Sequence, residues 1–186
     1  MRMTSGRAAV LLVAAALVGL SGCTETKAPC PHVKVPAVLS QLTKFEDGAA
    51  QDASNVRYQS RISNVAIACT STEAKTAQLP RGSSGSVDNL EVQVRINFAT
   101  LRGPRGQGDV ANATYFVAVT DIRDTILDRQ EFPVKLKMGP GGQATTLEDA
   151  WMLIKLDGRS GAAFRIYTGF QLSPGELEFN KKMLEN

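Results

Sequence analysis

The strict alternation of apolar and polar residues between Leu90 and Phe98 constrains the fold of this chain more than any other feature. In the segment NLEVQVRINFATL, leucine, valine, isoleucine and phenylalanine occupy every second position, and polar or charged residues fill the positions between them. Side chains of a β-strand point to opposite faces with a period of two, so this pattern predicts a strand with one face in a core. We therefore expect a mainly β domain.

Comparable patterns along the rest of the chain predict further strands. Residues 56–69 also alternate, but their apolar parity changes near Ser63 or Asn64, and a β-bulge would re-aim the side chains in this way. Two more apolar runs flank a predicted turn at residues 121–125. In the second of these runs, Pro133 indicates an edge strand or a strand start, because proline cannot donate to a ladder.

The segment TLEDAWML, which begins at Thr146, is ambiguous. Leu147, Trp151 and Ile154 have helical spacing, whereas the overlapping run WMLIKL is apolar enough for a buried strand. Periodicity alone does not decide between a short helix and a strand for a run of this length. Both conformations remain open from the sequence.

About seven short strands, joined by loops rich in glycine, serine and proline, predict an antiparallel immunoglobulin- or fibronectin-like β-sandwich. The chain ends differently, with Ser173 as the N-cap of a helix, Pro174 at its first position and Glu176 three residues after the cap. We therefore expect one sandwich domain over residues 30–186 that ends in a short helix of about three turns.

The first residues have the pattern of a secretion signal. Two arginines precede an apolar run from Ala8 to Leu20, which is too short to span a bilayer and leads directly into the sequence SGC. The residues before Cys23 resemble the lipobox of bacterial lipoproteins, and this resemblance implies that the Cys23 thiol carries a diacylglyceryl group. We expect residues 1–22 to be a lipoprotein signal peptide and residues 23–29 to be a lipidated tether.

The predicted location and the net charge of the mature chain limit the kinds of partner that it could bind. The residue after the lipidated cysteine is Thr24 rather than aspartate, which by the lipoprotein resemblance implies the outer membrane, with the domain facing the periplasm. Removing residues 1–22 takes two of the 21 basic residues and none of the 18 acidic ones, so the mature chain is nearly neutral. A nucleic-acid binder would carry a clustered basic excess. We expect membrane attachment through the lipid at Cys23 and no nucleic-acid partner.

Besides Cys23, the chain has two cysteines, Cys30 and Cys69. The periplasm oxidises thiols, so a pair of cysteines in a domain exported there most simply forms a disulfide. Such a bond would close a loop of about 40 residues and contribute about 4 kcal/mol by the chain-entropy model. The alternative is a metal or thiol site built from Cys30, His32 and Cys69. His32 is the only histidine, and a closed zinc site needs four ligands, so we favour the disulfide and expect neither a metal nor a cofactor.

Catalytic motifs are sparse. A serine hydrolase needs a histidine base, but the single histidine lies beside Pro31 near the tether, and no GxSxG elbow, SxxK motif or Walker A loop is present. Asp121, Asp124 and Asp128 crowd a predicted turn and would be candidates for calcium binding. They lack the EF-hand spacing, and acids in turns are usually solvated turn formers. We therefore assign no catalytic residue.

Two pairs of residues are candidate contacts for a protein partner. Arg102 and Arg105 lie in the glycine-rich loop LRGPRGQG, where they would either meet an anionic ligand or be solvated. In the C-terminal helix, Phe179 and Met183 form one of two narrow apolar strips. A strip left exposed beside a membrane would be a docking site, whereas short terminal helices more often cover a core.

Four segments together carry a family resemblance: Cys30-Pro31, Cys69, RQEF at residues 129–132, and GFQLSPGELEFN at residues 169–180. They resemble small cell-envelope lipoproteins of alphaproteobacteria, a family without an assigned biochemical function. The resemblance implies an anchored sandwich domain and nothing catalytic. We predict an outer-membrane-anchored periplasmic lipoprotein that serves as a binding or scaffold module for an envelope protein. The alternative is a periplasmic hydrolase, or a thiol- or metal-dependent enzyme that uses the cysteine and histidine cluster.

Overall fold

The computed structural model describes residues 29–73 and 88–185, which form eight β-strands and one α-helix. The predicted signal peptide and the lipidation site at Cys23 lie outside the described residues. No helix in the described part of the chain is long and apolar enough to cross a membrane. The elements, in chain order, are β1 (His32–Lys34), β2 (Gln41–Phe45), β3 (Val56–Glu73), β4 (Asp88–Arg102), β5 (Val110–Asp121), β6 (Ile126–Lys137), β7 (Gln143–Lys155), β8 (Phe164–Phe170) and α1 (Pro174–Glu185).

The strands form two four-stranded sheets. The first sheet has the order β1-β8-β5-β6, and the second has the order β2-β3-β4-β7. The predicted mainly β fold with a short C-terminal helix is therefore confirmed. The pairing departs from the antiparallel prediction in one place, because β1 runs parallel to β8, with Val33 opposite Ile166. These two strands are far apart in sequence, so no hairpin turn sets their relative direction.

The second sheet confirms the patterns from which the fold was predicted. Strand β4 contains the alternating segment, and its apolar residues from Leu90 to Phe98 are completely buried. Strand β3 shifts register between Ile62 and Asn64, where its apolar parity changes, so the predicted bulge is confirmed. In the first sheet, Pro133 lies in the edge strand β6, as predicted.

The segment whose conformation the sequence left open is part of strand β7. This strand pairs with β4 along its whole length. Every second side chain of its later half is buried, whereas Leu147 and Trp151 are about half exposed on the opposite face. The helical alternative is therefore wrong, because pairing with a neighbouring strand overrides the spacing of three apolar residues.

The core lies between the two sheets and is rich in aromatic side chains. Phe98 of β4 packs against Tyr115 and Phe170 of the first sheet, with ring centroids 5.3 Å apart in each pair. Tyr115 also stacks on Phe132. Aromatic pairs of this kind add about 0.5–1.5 kcal/mol to the burial of their area. The inner faces of the sheets are thereby fixed against each other, which leaves the outer faces and edges for binding.

Helix α1 begins at the predicted capping box. The Ser173 amide donates to Glu176 Oε2 at 2.7 Å, and the Glu176 amide donates to Ser173 Oγ at 3.4 Å. The two apolar strips are not fully buried, since Phe179 is half-buried and Met183 and Leu184 are exposed. The helix is therefore fixed to the sandwich largely by other residues.

The buried side of α1 is polar. Its buried residues are Glu176 and Asn180, one turn apart. Glu176 pairs with Lys44 of β2 at 2.5 Å, and the Asn180 side-chain amide donates to the backbone carbonyls of Val38 and Gln41 at 2.9 and 2.7 Å. These bonds attach the helix to β2 and to the short segment before it.

Candidate binding grooves beside the C-terminal helix

Cys30 and Cys69 form a disulfide, with their Cα atoms 5.7 Å apart. Cys30 precedes β1 of the first sheet and Cys69 lies in β3 of the second, so the bond links the two sheets. The predicted disulfide is confirmed, and His32 is exposed on β1. Within residues 29–73 and 88–185, no three histidine, cysteine or acidic side chains lie close enough together to hold a metal ion.

Two of the three aspartates predicted at the β5–β6 turn, Asp121 and Asp128, bond groups that are close to them in the sequence. Asp121 Oδ1 accepts from the backbone amides of Thr125 and Arg123 at 3.0 and 2.8 Å, and these donors hold the pKa of Asp121 below its usual value. Asp128 accepts from the Gln130 side-chain amide at 3.1 Å. These carboxylates therefore act locally and do not converge on one point.

Three of the four predicted partner contacts line one groove. Arg102, Phe179 and Met183 border a space of about 440 Å³ between α1 and the loop after β4, which we call the Phe179 groove. Phe179 packs edge-on against Phe45 with ring centroids 5.1 Å apart, whereas Met183 is 59% exposed. The structure thus brings Arg102 close to the Phe179 and Met183 pair, which lies about 80 residues later in the sequence.

The loop after β4 is held firmly against β3. A Cβ atom at Gly103 would collide with a backbone oxygen of β3, so only glycine allows this approach. Arg102 Nη2 bonds Asp109 Oδ1 at 2.7 Å, and Arg105 pairs with Glu46 at 3.6 Å. Both arginines therefore have an acidic neighbour within the chain, and their contact with a partner stays a prediction.

A second groove, which we call the Thr120 groove, lies on the outer face of the first sheet and has a volume of about 450 Å³. Sequence reasoning missed it. Its walls come from β5, β6, β8, the segment before β2 and the start of α1. It is lined by Pro36, Leu39, Phe116, Ala118, Thr120, Asp124, Ile126, Arg129, Tyr167, Phe170, Gln171, Leu172 and Leu177.

Strand β5 forms the floor of the Thr120 groove. Residues 115–120 are all buried, although every second one faces away from the core. Gly169 of the neighbouring β8 makes room for the wall, because a Cβ there would lie 2.6 Å from Leu39 Cβ and 3.3 Å from the Phe116 ring. Glycine at this position therefore lets the segment before β2 approach the outer face of the sheet.

Thr120, one of the residues that line this groove, carries an unpartnered polar atom. The residue is 3% exposed, and its Oγ1 is buried without a hydrogen-bond partner among the described residues. An unpaired buried hydroxyl costs about 1–3 kcal/mol. A bound molecule that offers an N–H or a C=O group would recover that cost.

Arg129 borders the groove from β6. Its guanidinium carbon lies 4.7 Å from the centroid of the Phe116 ring, a cation–π arrangement. Its Nη1 and Nη2 atoms each form a 2.5 Å bond, to Glu131 Oε1 and to Gln171 Oε1. The second bond joins the segments RQEF and GFQLSPGELEFN, which are two of those that carry the family resemblance.

An acidic residue borders the groove near the β5–β6 turn. Asp124 Oδ1 accepts from Arg165 Nη1 at 2.8 Å and from the Tyr167 hydroxyl at 2.9 Å. These donors, Arg165 foremost, hold the pKa of Asp124 below its usual value, and the bond to Asp124 raises the pKa of Tyr167. The rim of the Thr120 groove therefore carries both signs of charge around an apolar floor.

One sequence signal points to the Thr120 groove. The run YFVAV in β5 is apolar at every position, and a strand with two apolar faces has to be covered on both. Tyr115, Val117 and Val119 belong to the core between the sheets, whereas Phe116 and Ala118 lie on the opposite face of the strand. Periodicity does not show which distant segment covers them.

No known protein family, curated protein or solved structure matches this chain.

Proposed function

We propose that this chain is a lipid-anchored binding module of the cell envelope, held in the outer membrane through Cys23 with its domain facing the periplasm. The N-terminal sequence pattern and the likeness to alphaproteobacterial envelope lipoproteins support the anchor and its location. Because residues 23–29 are few and span at most about 25 Å, the domain would act close to its membrane.

The Thr120 groove is the binding site in this proposal, and the unpartnered Thr120 hydroxyl is the observation that carries it. The groove is otherwise apolar along its floor, so a bound molecule needs apolar groups together with a hydrogen-bonding group at Thr120. A polypeptide provides both, since each residue carries an N–H and a C=O group next to its side chain. The apolar part of an acyl chain has neither.

The rim supports the same occupant. Arg129 and Asp124 give the groove both a cationic and an anionic border. A border with both charges suits a protein segment in which charged residues flank an apolar side chain. We therefore commit to a short, partly apolar segment of a neighbouring envelope protein as the ligand.

The architecture fits such a role. We include in the proposal that the domain resembles immunoglobulin and fibronectin domains. The resemblance lies in the two packed sheets and the exposed loops, and it does not extend to the order of the strands. In the constant-type immunoglobulin order the first, second, fifth and fourth strands share a sheet, whereas β2, β3, β4 and β7 share one here. The enzyme alternative needs reactive thiols, and Cys30 and Cys69 are bonded to each other.

A peptide selection tests the proposal. The full-length protein is solubilised in detergent and used to capture the peptides that bind it. The probes are a phage-displayed pool of random twelve-residue peptides and, separately, a fluorescent long-chain fatty acid. We expect enriched peptides that share an apolar residue. Thr120→Val should weaken their binding about fivefold, because one hydrogen bond contributes about 1 kcal/mol.

The matched control is Thr145→Val, on an exposed threonine of β7. It should leave peptide binding unchanged, and Thr120→Val should leave the melting temperature unchanged or raise it, because it removes an unpaired buried hydroxyl. Binding of the fatty acid alone, or peptide binding that is indifferent to Thr120→Val, would overturn the proposal.

A further inference from the structure

Three of the four sheet edges are protected against strand addition. Strand β1 has only three residues, and β2 is covered by α1, whose Asn180 bonds the Gln41 carbonyl. Strand β6 contains Pro133, and its exposed Asp128 lies opposite Val119, which faces the core. Short strands, prolines, covering helices and inward charges are the means by which proteins block their edges.

Residues 149–155 of β7, with the sequence DAWMLIK, have none of these protections, and their charges are confined to the two ends, where Lys155 is exposed and Asp149 accepts from Arg95 of β4 at 2.9 and 3.2 Å. Within the described residues β7 pairs with β4 only, and this segment contains neither proline nor glycine. Its core-facing residues are alanine, methionine and isoleucine, all buried. On the outer face, Trp151 is 53% exposed and Leu153 is 59% exposed. An exposed apolar edge of this kind accepts a further strand.

The outer face of this segment is complementary to itself. Two copies related by a two-fold axis through Met152 would run antiparallel, with Asp149 of each copy opposite Lys155 of the other. Trp151 of each copy would lie opposite Leu153 of the other. Opposite charges and aromatic-aliphatic pairs are the cross-strand pairs that stabilise antiparallel sheets.

Other registers lose this match. If Trp151 lies opposite Trp151 of the second copy, Asp149 faces Leu153. If Leu153 lies opposite Leu153 of the second copy, Lys155 faces Trp151. Shifts by one residue would set outer-face side chains against core-facing ones. The complementary register is therefore the one in which each charge meets its opposite and each large apolar side chain meets another.

We propose that two copies of this chain pair through residues 149–155 of β7 and join their second sheets into one sheet of eight strands. The contact is isologous, because the same residues serve both copies. It goes beyond the proposed binding function and leaves the Thr120 groove free, since that groove lies on the outer face of the first sheet.

In-cell photocrosslinking of the full-length chain tests the pairing independently of the charges. A photocrosslinking amino acid replaces Leu147, which is exposed on the same face of β7. We expect a product of twice the chain mass that contains two copies of this chain. Asp149→Lys and Lys155→Glu should each reduce its yield about tenfold, because each reversal opposes like charges at two positions of the dimer.

Co-expression of the two variants separates a specific register from a general loss of folding. In a mixed pair, position 149 of the Asp149→Lys chain faces position 155 of the Lys155→Glu chain, so opposite charges meet again. The other contact joins the unchanged Lys155 and Asp149, and the yield should therefore return. Lys137→Glu, on an exposed lysine of β6, is the control and should have no effect. The proposal is overturned if no dimer forms, if both single variants retain it, or if the mixture fails to restore it.

Discussion

Asp124 occupies a backbone conformation that few L-amino acids adopt, with a φ of 63°. Aspartate and asparagine tolerate this left-handed region better than most residues. The conformation directs its carboxylate toward Arg165 and Tyr167 of β8, to which it is bonded. A single turn residue thereby ties the β5–β6 turn to the neighbouring strand.

Asp124→Asn keeps the backbone preference and removes the charge, so it isolates the ion pair. Because the pKa of Asp124 is lowered in the folded protein, the carboxylate stabilises the fold above its unfolded pKa and loses that effect as the pH falls through its folded pKa. We expect the wild type to exceed the variant in free energy of unfolding at pH 7, and the difference to vanish well below pH 3.8. Urea unfolding between pH 2 and pH 7 measures it, and an equal difference at both ends would contradict the assignment.

Individual side chains show where sequence reasoning succeeds and where it stops. The capping bonds of Ser173 and Glu176 are local, three residues apart, so their pattern was readable from the sequence. Asn180 bonds carbonyls 142 and 139 positions away, and no local pattern identifies such partners. The unpaired hydroxyl of Thr120 likewise depends on how distant segments cover β5.

Helix α1 separates the two grooves and contributes to both. Leu177 lines the Thr120 groove, and Phe179 with Met183 lines the Phe179 groove. The sequence predicts the helix and its start, but not that Glu176 and Asn180 face the sandwich, because helical amphipathicity is judged from apolar residues. A helix fixed by polar bonds can leave its apolar residues on groove walls.

The two residues of the predicted docking strip should behave differently when truncated. Phe179→Ala should lower the free energy of unfolding by about 2 kcal/mol, because it removes a half-buried ring and its contact with Phe45. Met183→Ala should change it by less than about 0.5 kcal/mol, since Met183 is largely exposed. Chemical unfolding of the two variants measures this, and equal losses would show that Met183 is packed as well.

Strands were easier to predict than their surroundings. The period of two in β4 and the parity change in β3 each lie within a single strand. They can therefore be recognised in the sequence without knowing which strands pair with β3 and β4. The parallel direction of β1 and the strand conformation of β7 depend on pairing with strands remote in sequence. The open edge of β7 is visible only once the sheet order is known.

For the molecule as a whole, the proposed function joins the anchor and the grooves in one arrangement, in which a lipid at Cys23 would hold the proposed binding surfaces near a membrane. Cys23→Ser removes the thiol that would carry the lipid, so we expect the variant to leave the outer-membrane fraction. Membrane fractionation of cells that express each form measures this, with Thr24→Ser as the matched control. A Cys23→Ser protein that stays with the outer membrane would mean that something other than the lipid holds it there.

The disulfide between Cys30 and Cys69 fits the same arrangement. It joins the start of the domain to β3, so a tether attached to Cys30 would transmit its pull to both sheets rather than to β1 alone. The first sheet, which bears the Thr120 groove, would then keep its geometry beside the membrane.

Photocrosslinking from the Thr120 groove in living cells tests the central claim most directly. The crosslinking amino acid replaces Ile126, which lines the groove and is 61% exposed, and a second strain carries it at Lys137 on the far end of β6. We predict a polypeptide adduct from position 126 that is absent from position 137 and clearly weakened by Thr120→Val. No adduct from position 126, an adduct with lipid alone, or one that is indifferent to Thr120→Val would contradict the account.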